Sequence, residues 1–463
     1  MIKNLLLLVI CLLVLVVVSC QKDTHETTNK IVEWYELADD ASLSTTEKID
    51  IYMWHSFGGD NQKVLQTFIS EFNALYPNVT VHEENKGVDY KALETAVANA
   101  IPSGSNPHLV TGYGDNFARY ASSKRVLALN NFVNHPTLGL SEEEIADFVP
   151  GFWREGASFD KSGTILAFPF AKSTEALYYN KTFFEEHNLT VPQTWAEVEA
   201  VARQIKILVP DSVPFGYDSE ANLFISSSEQ KGIPYTGFSE SGYGQILFNN
   251  QNAKDLVKYF KDLTNEGLFS TPSTLGVTFS SDRAKIDKLF MAVGSTGGAK
   301  YNIPSDNHYV TGVAPVPQFD LNNKRQIQQG PNICLFKKDN VQEMIASWLF
   351  LKYITEAEQS VRYSVQSGYS PVRLSAFETA TWKDFEAKSA SNPTNLLIMQ
   401  SIQLAKNYSD YFFTSIAFSK SSKAREVVET LLAEVLKYDS KVDADIINYI
   451  NAKFAEAYEE ISY

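Results

Sequence analysis

The chain has 463 residues, and its 40 Lys plus Arg against 55 Asp plus Glu give it a formal charge of −15. At roughly 150 residues per domain this length predicts two or three lobes, and a composition of 44% hydrophobic and 21% charged residues excludes a disordered chain. The acidic balance argues against a nucleic-acid partner and against a polybasic membrane surface, because both need a net basic face.

The first residues have the composition of a secretory signal peptide. An uninterrupted apolar run covers residues 5–18 after Lys3, and it is shorter than the roughly 20 residues that span a bilayer. The run ends in Val17-Val18-Ser19-Cys20, which resembles the lipobox of bacterial lipoproteins. We therefore expect removal of residues 1–19, lipidation of Cys20 and export to the cell envelope, in the periplasm or on the outer face of the cytoplasmic membrane. A plain signal peptide that ends near a Cys is the alternative.

The remaining cysteine content is low for an exported protein. Cys11 lies in the predicted signal peptide and Cys20 would carry lipid, which leaves Cys334 and no internal disulfide. Cys334 stands in the apolar run 332–336, which is typical of a buried strand, so we expect an inert thiol.

After the lipidated Cys, residues 20–47 are polar and rich in Thr, Asp and Glu, and they predict a tether with residues 31–35 as a candidate docking segment. The folded body begins near Lys48. Its first part alternates strands and helices in the order β-α-β-α-β, with strands near 49–54, 79–82 and 107–110 and helices between them. This order predicts a parallel sheet in an α/β lobe, with ligand at the carboxyl ends of the strands. Further on, Ser141-Glu142-Glu143-Glu144 and Thr194-Trp195-Ala196-Glu197 both fit the helix capping box.

Motifs for catalysis or metal binding are lacking in the sequence. No two of the seven His residues have the His-x-x-x-His spacing, and no Gly-x-Ser-x-Gly occurs. The segment Gly294–Lys300 lacks the Gly that precedes Lys in a phosphate-binding loop. We therefore expect neither a cofactor nor a metal, and no enzyme activity.

A longer pattern carries the strongest signal. Pro169-Phe170-Ala171-Lys172-Ser173-Thr174 leads to Leu177-Tyr178-Tyr179-Asn180-Lys181, and Pro192-Gln193-Thr194-Trp195 follows. This pattern resembles the family 1 extracellular solute-binding proteins of ABC importers, whose members bind maltose, other sugars or glycerol 3-phosphate. The resemblance covers roughly residues 48–440. It implies the two-lobed α/β fold of the type II periplasmic binding proteins, a hinged "flytrap" with its ligand cleft between the lobes.

The glycerol-3-phosphate-binding branch of the family is the most similar. Trp54-His55-Ser56, Lys86-Gly87 and Gly368-Tyr369-Ser370-Pro371 carry this likeness. The resemblance implies ligand contacts at four positions whose residue types are retained, namely Tyr90, Ser173, Gly330 and Tyr369.

Two departures favour a different ligand. Gly114 follows Tyr113 where the branch has a cleft Glu, and Asp115 comes one residue later. The phosphate-binding Arg of the branch falls near Ala417, and the nearest Arg is Arg425, inside a predicted helix. Because each lost charge-assisted bond costs about 1.5–3 kcal/mol, the sequence favours a neutral sugar or sugar alcohol over a phosphate.

The predicted site combines hydrogen-bonding groups for hydroxyls with aromatic platforms for a sugar ring. Its members lie at strand ends or near the predicted lobe crossings: Trp54, His55, Tyr90, Tyr113, Asp115, Ser173, Ser295, Gly330 and Tyr369. Purely structural roles are the alternatives for these residues. Each aromatic residue also suits the core, His55 could bond loop backbone, and Asp115 could cap a helix.

The predicted lobes follow from crossings near Thr174, Gln328 and Tyr369. Residues 48–174 plus 328–370 form the N-terminal lobe, and residues 175–327 plus 371–463 form the C-terminal lobe. The expected function is that of a monomeric, membrane-anchored lipoprotein that captures a sugar by lobe closure and delivers it to ABC permease subunits. Alternatives are a glycerol-3-phosphate or phosphodiester binder, a surface carbohydrate-active enzyme with a carboxylate pair, and an adhesin that kept the fold.

Overall fold

The computed structural model describes residues 31–462. Its strands are β1 (Ile49–His55), β2 (Val79–Asn85), β3 (Leu109–Gly112), β4 (Phe168–Pro169), β5 (Ser173–Asn180), β6 (Phe215–Tyr217), β7 (Thr236–Phe238), β8 (Gly244–Ile246), β9 (Phe269–Ser270), β10 (Met291–Ser295), β11 (Thr311–Ala314), β12 (Gln326–Gln329), β13 (Asn332–Leu335) and β14 (Phe412–Phe413).

The helices up to the last crossing between the sheets are α1 (Gly59–Leu75), α2 (Tyr90–Ala100), α3 (Gly114–Ala121), α4 (Asn130–Val133), α5 (Glu142–Ala146), α6 (Pro150–Glu155), α7 (Lys181–Glu186), α8 (Trp195–Leu208), α9 (Glu220–Gln230), α10 (Gln251–Asn265), α11 (Pro272–Leu275), α12 (Ser281–Ala284), α13 (Val341–Ile354) and α14 (Ala357–Ser367). They are followed by α15 (Ala380–Ser389), α16 (Pro393–Asn407), α17 (Ser421–Lys437) and α18 (Asp443–Ser462), and short 3₁₀ segments cover Thr296–Asn302, Ser375–Glu378 and Ser409–Tyr411.

Two separate sheets organise the chain. The first has the order β2-β1-β3-β13-β4, in which β1 runs parallel to β2 and β3 as the sequence predicts, while β13 is antiparallel to its neighbours β3 and β4. The second has the order β14-β12-β5-β10-β6-β9, and β11 pairs with β5 beside β12. Strands β7 and β8 form a separate hairpin.

Each sheet is covered by its own apolar helix faces. Phe68 and Phe72 of α1 and Trp348 of α13 pack in the core of the first sheet. Trp195 of α8 packs with the helices of the second sheet, where α17 contributes Leu431 and its neighbours. Both tryptophans are almost fully buried, as expected for core residues. The capping boxes predicted from the sequence begin α5 and α8, which confirms both helix starts.

The chain passes between the sheets at three neighbouring places. It leaves the first sheet after β4 and enters the second at Ser173, it returns between β12 and β13, and it leaves again after Ser370. The three passages are hydrogen bonded side by side: Ala171 N–H donates to Pro331 O (3.1 Å), and Ser370 N–H donates to Lys172 O (2.6 Å). These bonds hold the crossing segments together between the two cores.

The described part of the predicted tether is attached to the body, both at the candidate docking segment 31–35 and beyond it over residues 36–47, where a tether was expected. Val32 is buried, and Glu33 N–H donates to Val126 O (2.8 Å). Further along, His135 Nε2 lies 2.8 Å from Ala38 O, and Asn78 Nδ2 donates to Ser44 O (2.7 Å). Backbone pairing and buried apolar groups outweigh the polar composition of this segment.

The predicted signal peptide and the predicted lipidation site at Cys20 lie outside the described residues. Over residues 31–462, none of the helices combines the length and the apolar character needed to cross a membrane. The described Cys334 is a free thiol, fully buried on β13, and burial raises its pKa, as expected for an inert thiol.

Candidate ligand-binding site

A cavity of about 770 Å³ lies where the two sheets meet. Its walls come from the ends of strands in both sheets and from the crossing segments. Six of the nine predicted ligand-binding residues line it, namely Tyr90, Tyr113, Asp115, Ser173, Ser295 and Tyr369. The described residues hold no group of three or more His, Cys, Asp or Glu that suits a metal ion.

Three tyrosines converge in the cavity. Tyr90 begins α2, where Asp89 caps the helix by accepting from Ala92 N–H (2.8 Å), and Tyr113 links the end of β3 to α3. Their rings meet edge to face with centroids 4.9 Å apart. Tyr369 follows the left-handed Gly368 that ends α14, and its hydroxyl interacts with that of Tyr90. Burial raises the pKa of all three phenols, so they are neutral hydrogen-bonding groups with an apolar ring face.

The opposite wall carries a buried carboxylate on β5. Glu175 accepts hydrogen bonds from the Tyr217 hydroxyl, from Asn222 Nδ2 (2.8 Å) and from Gln329 Nε2 (3.1 Å). Burial outweighs these bonds and raises the pKa of Glu175 to about 7. Arg425 on α17 also lines the cavity and donates to Asn222 Oδ1, so the guanidinium is held in place by an amide that bridges it to Glu175.

Two serines and a buried ion pair complete the site near the crossings. Ser295 Oγ lies 3.4 Å from Ser173 Oγ on neighbouring strands. Just before Ser173, the fully buried Lys172 pairs with Glu155, whose side chain lines the cavity, and donates to Gly330 O (2.9 Å). This ion pair ties the crossing segments to α6.

Three predicted site residues do not line the cavity. His55 is fully buried, with Nε2 2.6 Å from Glu83 Oε2 and Nδ1 accepting from Phe57 N–H (3.1 Å), and burial lowers its pKa. Trp54 Nε1 donates to Glu84 Oε1 (3.3 Å), and Lys86 Nζ stands 4.3 Å from the ring centroid. Strand β1 continues to His55, and both side chains bond to carboxylates on the neighbouring strand β2 instead of lining the cavity.

Gly330, the third of these residues, has a structural part in the crossing. Its φ is +88°, and a Cβ placed there would lie 2.1 Å from Ala171 O. Only glycine fits at this left-handed position against the neighbouring crossing segment.

Several cavity residues are missing from the set that the sequence predicted. They are polar or charged groups on the second sheet and its helices, chiefly Glu175, Asp218, Asn222, Gln329 and Arg425. The position of Arg425 corrects the expectation that no Arg reaches the site. A signal existed for Glu175, because it is the only charged residue in the otherwise uncharged strand Ser173–Asn180.

Solved structures share this architecture. UgpB from Mycobacterium tuberculosis, in complex with glycerophosphocholine, superposes with a TM-score of 0.69 at 16% identity and covers 89% of this chain and 97% of that one. The cyclic alpha-maltosyl-1,6-maltose binding protein from Arthrobacter globiformis superposes with a TM-score of 0.68 at 16% identity, with 89% and 99% covered. Both support the two-lobed fold predicted from the sequence.

Sequence comparison gives the same family. The sn-glycerol-3-phosphate-binding periplasmic protein UgpB of Rhizobium meliloti (strain 1021) is 25% identical over 378 residues, which cover 76% of this chain and 81% of the relative. Residues 67–390 match the family described as bacterial extracellular solute-binding protein, and this match covers more than half of the chain. The chain therefore belongs to the bacterial extracellular solute-binding proteins, in agreement with the motifs around Ser173 and Trp195.

Proposed function

We propose that this protein binds a sugar or sugar alcohol in the cavity between its two sheets and delivers it to the membrane permease of an ABC importer. The observation that carries the proposal is the cluster of Tyr90, Tyr113 and Tyr369 facing buried carboxylate and amide side chains. Tyrosine faces suit the apolar side of a sugar ring, while carboxylates and amides suit its hydroxyls. No bond is made or broken in this function.

Closure of the lobes is the proposed mechanism. The lobes would be residues 48–174 plus 328–370 and residues 175–327 plus 371–463, and the bonded crossing segments around Lys172 would be the hinge. A ligand that contacts both walls only in the closed state shifts the population toward that state. A shift from 1:99 to 99:1 requires about 5.5 kcal/mol of differential affinity, which a few hydrogen bonds and one stacked ring supply.

The same proposal includes how the protein is processed, anchored and assembled in the cell envelope. Its features are cleavage before Cys20, a lipid anchor on that residue, a monomeric state and docking of the closed form on permease subunits. The exported character of the family supports this arrangement. The segment 31–47, which packs on the body, would place the N-terminal lobe near the anchor.

A phosphate ester is the second candidate ligand, and Arg425 favours it. Relatives of this chain are named for glycerol 3-phosphate, and Arg425 supplies the kind of cation that recognises phosphate. The cavity also holds the carboxylates of Asp115, Glu175 and Asp218, which repel a dianion. This balance ranks the neutral ligand first.

Titration of the purified protein tests the choice. A panel of mono- and oligosaccharides, polyols, glycerol 3-phosphate and glycerophosphodiesters would be followed by tryptophan fluorescence and melting temperature. We expect a response to a sugar or polyol, with a fall in the radius of gyration measured by small-angle scattering. A response to glycerol 3-phosphate alone would overturn the neutral-ligand proposal, and the appearance of reducing ends from added polysaccharide would indicate an enzyme.

A further inference from the structure

The charges in the cavity are unbalanced. Five carboxylates line it, against the cations of Lys285 and Arg425. Two of the carboxylates have cations of their own: Glu155 pairs with the buried Lys172, and Asp282 Oδ1 lies 3.9 Å from Lys285 Nζ. The carboxylates that remain are Asp115, Glu175 and Asp218, and the guanidinium of Arg425 acts on the first two.

Arg425 serves two of these three acids. It influences Glu175 through Asn222, whose side chain bonds both groups, and it is the charged group that most strongly favours the ionised form of Asp115. The other charged groups near Asp115 are the carboxylates of Glu155 and Glu94. Arg425 therefore offsets one negative charge within this pair.

Asp218 has a different environment, with no cation among the groups that affect it most. It follows β6 directly, and its Oδ1 accepts from Ser280 N–H (2.6 Å). The charged groups that act on it are the carboxylates of Asp282 and Glu220, and burial together with these carboxylates raises its pKa. Its Oδ2 lies over Gly294 of β10, where an added Cβ would be 2.7 Å away.

The cavity that Asp218 lines offers further groups for a ligand. Phe279 and Tyr301 line it and expose 54% and 60% of their surface, although Lys300 Nζ already stands 5.3 Å from the ring centroid of Tyr301. Aromatic faces attract cations. Gln328 also lines the cavity, is 6% exposed, and has an Oε1 that accepts no hydrogen bond from the described residues. An orphan acceptor of this kind requires a donor from a ligand or water.

Closure of the cleft over an uncompensated carboxylate costs free energy, because an ion that leaves water must be neutralised or paired. Sugar hydroxyls donate hydrogen bonds but bring no charge. A protonated amine brings both the charge and the donors. We propose that the ligand is an amino sugar or a similarly hydroxylated amine, with its ammonium group bound at Asp218.

This inference rests on the proposed sugar-binding function and narrows it to a cationic class. It also fixes the sign of proton linkage. A cationic ligand stabilises the ionised carboxylates and lowers their pKa, so its binding releases protons and its affinity rises from about pH 5 to about pH 7. A neutral or anionic ligand buries the same carboxylates without compensation, so its binding takes up protons and its affinity falls over that range.

The test compares each sugar with its own 2-amino-2-deoxy form. Isothermal titration calorimetry would be run with glucose and glucosamine, galactose and galactosamine, and cellobiose and the glucosamine disaccharide, in two buffers of different ionisation enthalpy. We expect at least one amino form to bind about tenfold or more tightly than its hydroxyl parent, with proton release. Equal or tighter binding of every parent sugar, or proton uptake with the amino form, would overturn the inference while leaving sugar binding intact. No binding by any amino form would overturn it as well, and binding of glycerol 3-phosphate alone would overturn the underlying function.

Matched variants test which carboxylate binds the ammonium group of the ligand. Asp218→Asn keeps the shape of the side chain, and we expect it to abolish the preference for the amino form and most of the proton release. Asp384→Asn is the control, because Asp384 is an exposed carboxylate that pairs with Lys388 and does not line the cavity. Glu175→Gln tests the alternative acid. Loss of the preference in Glu175→Gln with retention in Asp218→Asn would contradict the assignment to Asp218.

Discussion

The buried ion pair at the crossing segments gives the sharpest prediction for stability. Lys172 is fully buried and Glu155 is 5% exposed, so replacing Lys172 by Met leaves a carboxylate with no cation in the interior. The variant also removes the bond from Lys172 to Gly330 O, whereas the Met side chain keeps most of the apolar contacts of the lysine stem. Breaking one side of a buried pair costs about 3–5 kcal/mol, a large share of a total stability of about 5–15 kcal/mol.

A double-mutant cycle separates the charge from the packing. The single variants Lys172→Met and Glu155→Gln and their combination would be unfolded in urea, with circular dichroism and tryptophan fluorescence required to give coincident transitions. We expect Lys172→Met to lose at least about 3 kcal/mol and the double variant to recover about half of that loss, because the lone carboxylate has gone. A loss below about 1 kcal/mol in the single variant, or no recovery in the double variant, would refute the reasoning.

Three further predictions concern other parts of the molecule. Tyr90→Ala removes one member of the tyrosine cluster and should weaken binding of whichever ligand responds in the titration panel about tenfold in calorimetry. Tyr52→Ala, at an exposed tyrosine that does not line the cavity, should leave the affinity unchanged, and equal effects of the two variants would exclude Tyr90 from the site. Gly330→Ala, at φ +88°, should cost more than about 1 kcal/mol in urea unfolding. Gly298→Ala should stay within about 0.5 kcal/mol because its Cβ would meet only the Tyr301 ring, at an ordinary contact distance of 4.0 Å; similar losses would contradict the close approach at Gly330. Burial lowers the pKa of His55 below its ordinary 6.5, so the folded state favours the neutral ring; this contribution to stability is present above about pH 6.5 and is lost as the pH falls through the lowered pKa. In urea unfolding, His55→Gln should therefore lose less stability between about pH 7 and about pH 5 than the parent protein does. Parallel curves for the two proteins would contradict this assignment.

Local sequence patterns predict much of the first sheet. Alternation over 49–54 and the helix-ending Pro77 are each local signals, and the parallel order of β1, β2 and β3 follows from the helices between them. The same reasoning places Tyr113 and Asp115 at the carboxyl end of β3 and therefore at the cavity. It fails for His55, because periodicity does not show that β1 extends one residue further and uses this side chain for the core.

The strand order of the second sheet is harder to predict from the sequence, since it depends on long-range pairing. Strand β5 contacts β10, β11 and β12, which lie between about 110 and 150 residues away in the sequence, and no local pattern encodes these pairings. The packing of residues 31–47 is similarly non-local, because polar composition indicates a linker unless the acceptor groups of the body are known. The motif around Ser173 compensates for part of this gap by indicating the family, although it does not give the charges of the cavity.

Arg425 illustrates why the choice of ligand needed the fold. By sequence position it lies inside a helix and eight residues from Ala417, where an ungapped comparison places the missing cation, and both facts argue for a site without an Arg. In the fold, α17 begins at Ser421 beside α3, so its second turn points the guanidinium at Asn222 and the cavity. The presence of a cation does not by itself make the site suitable for phosphate, because Arg425 is already shared by Glu175 and Asp115. Arg425 does not offset the charge of Asp218, and this is the negative charge that we expect a ligand to neutralise.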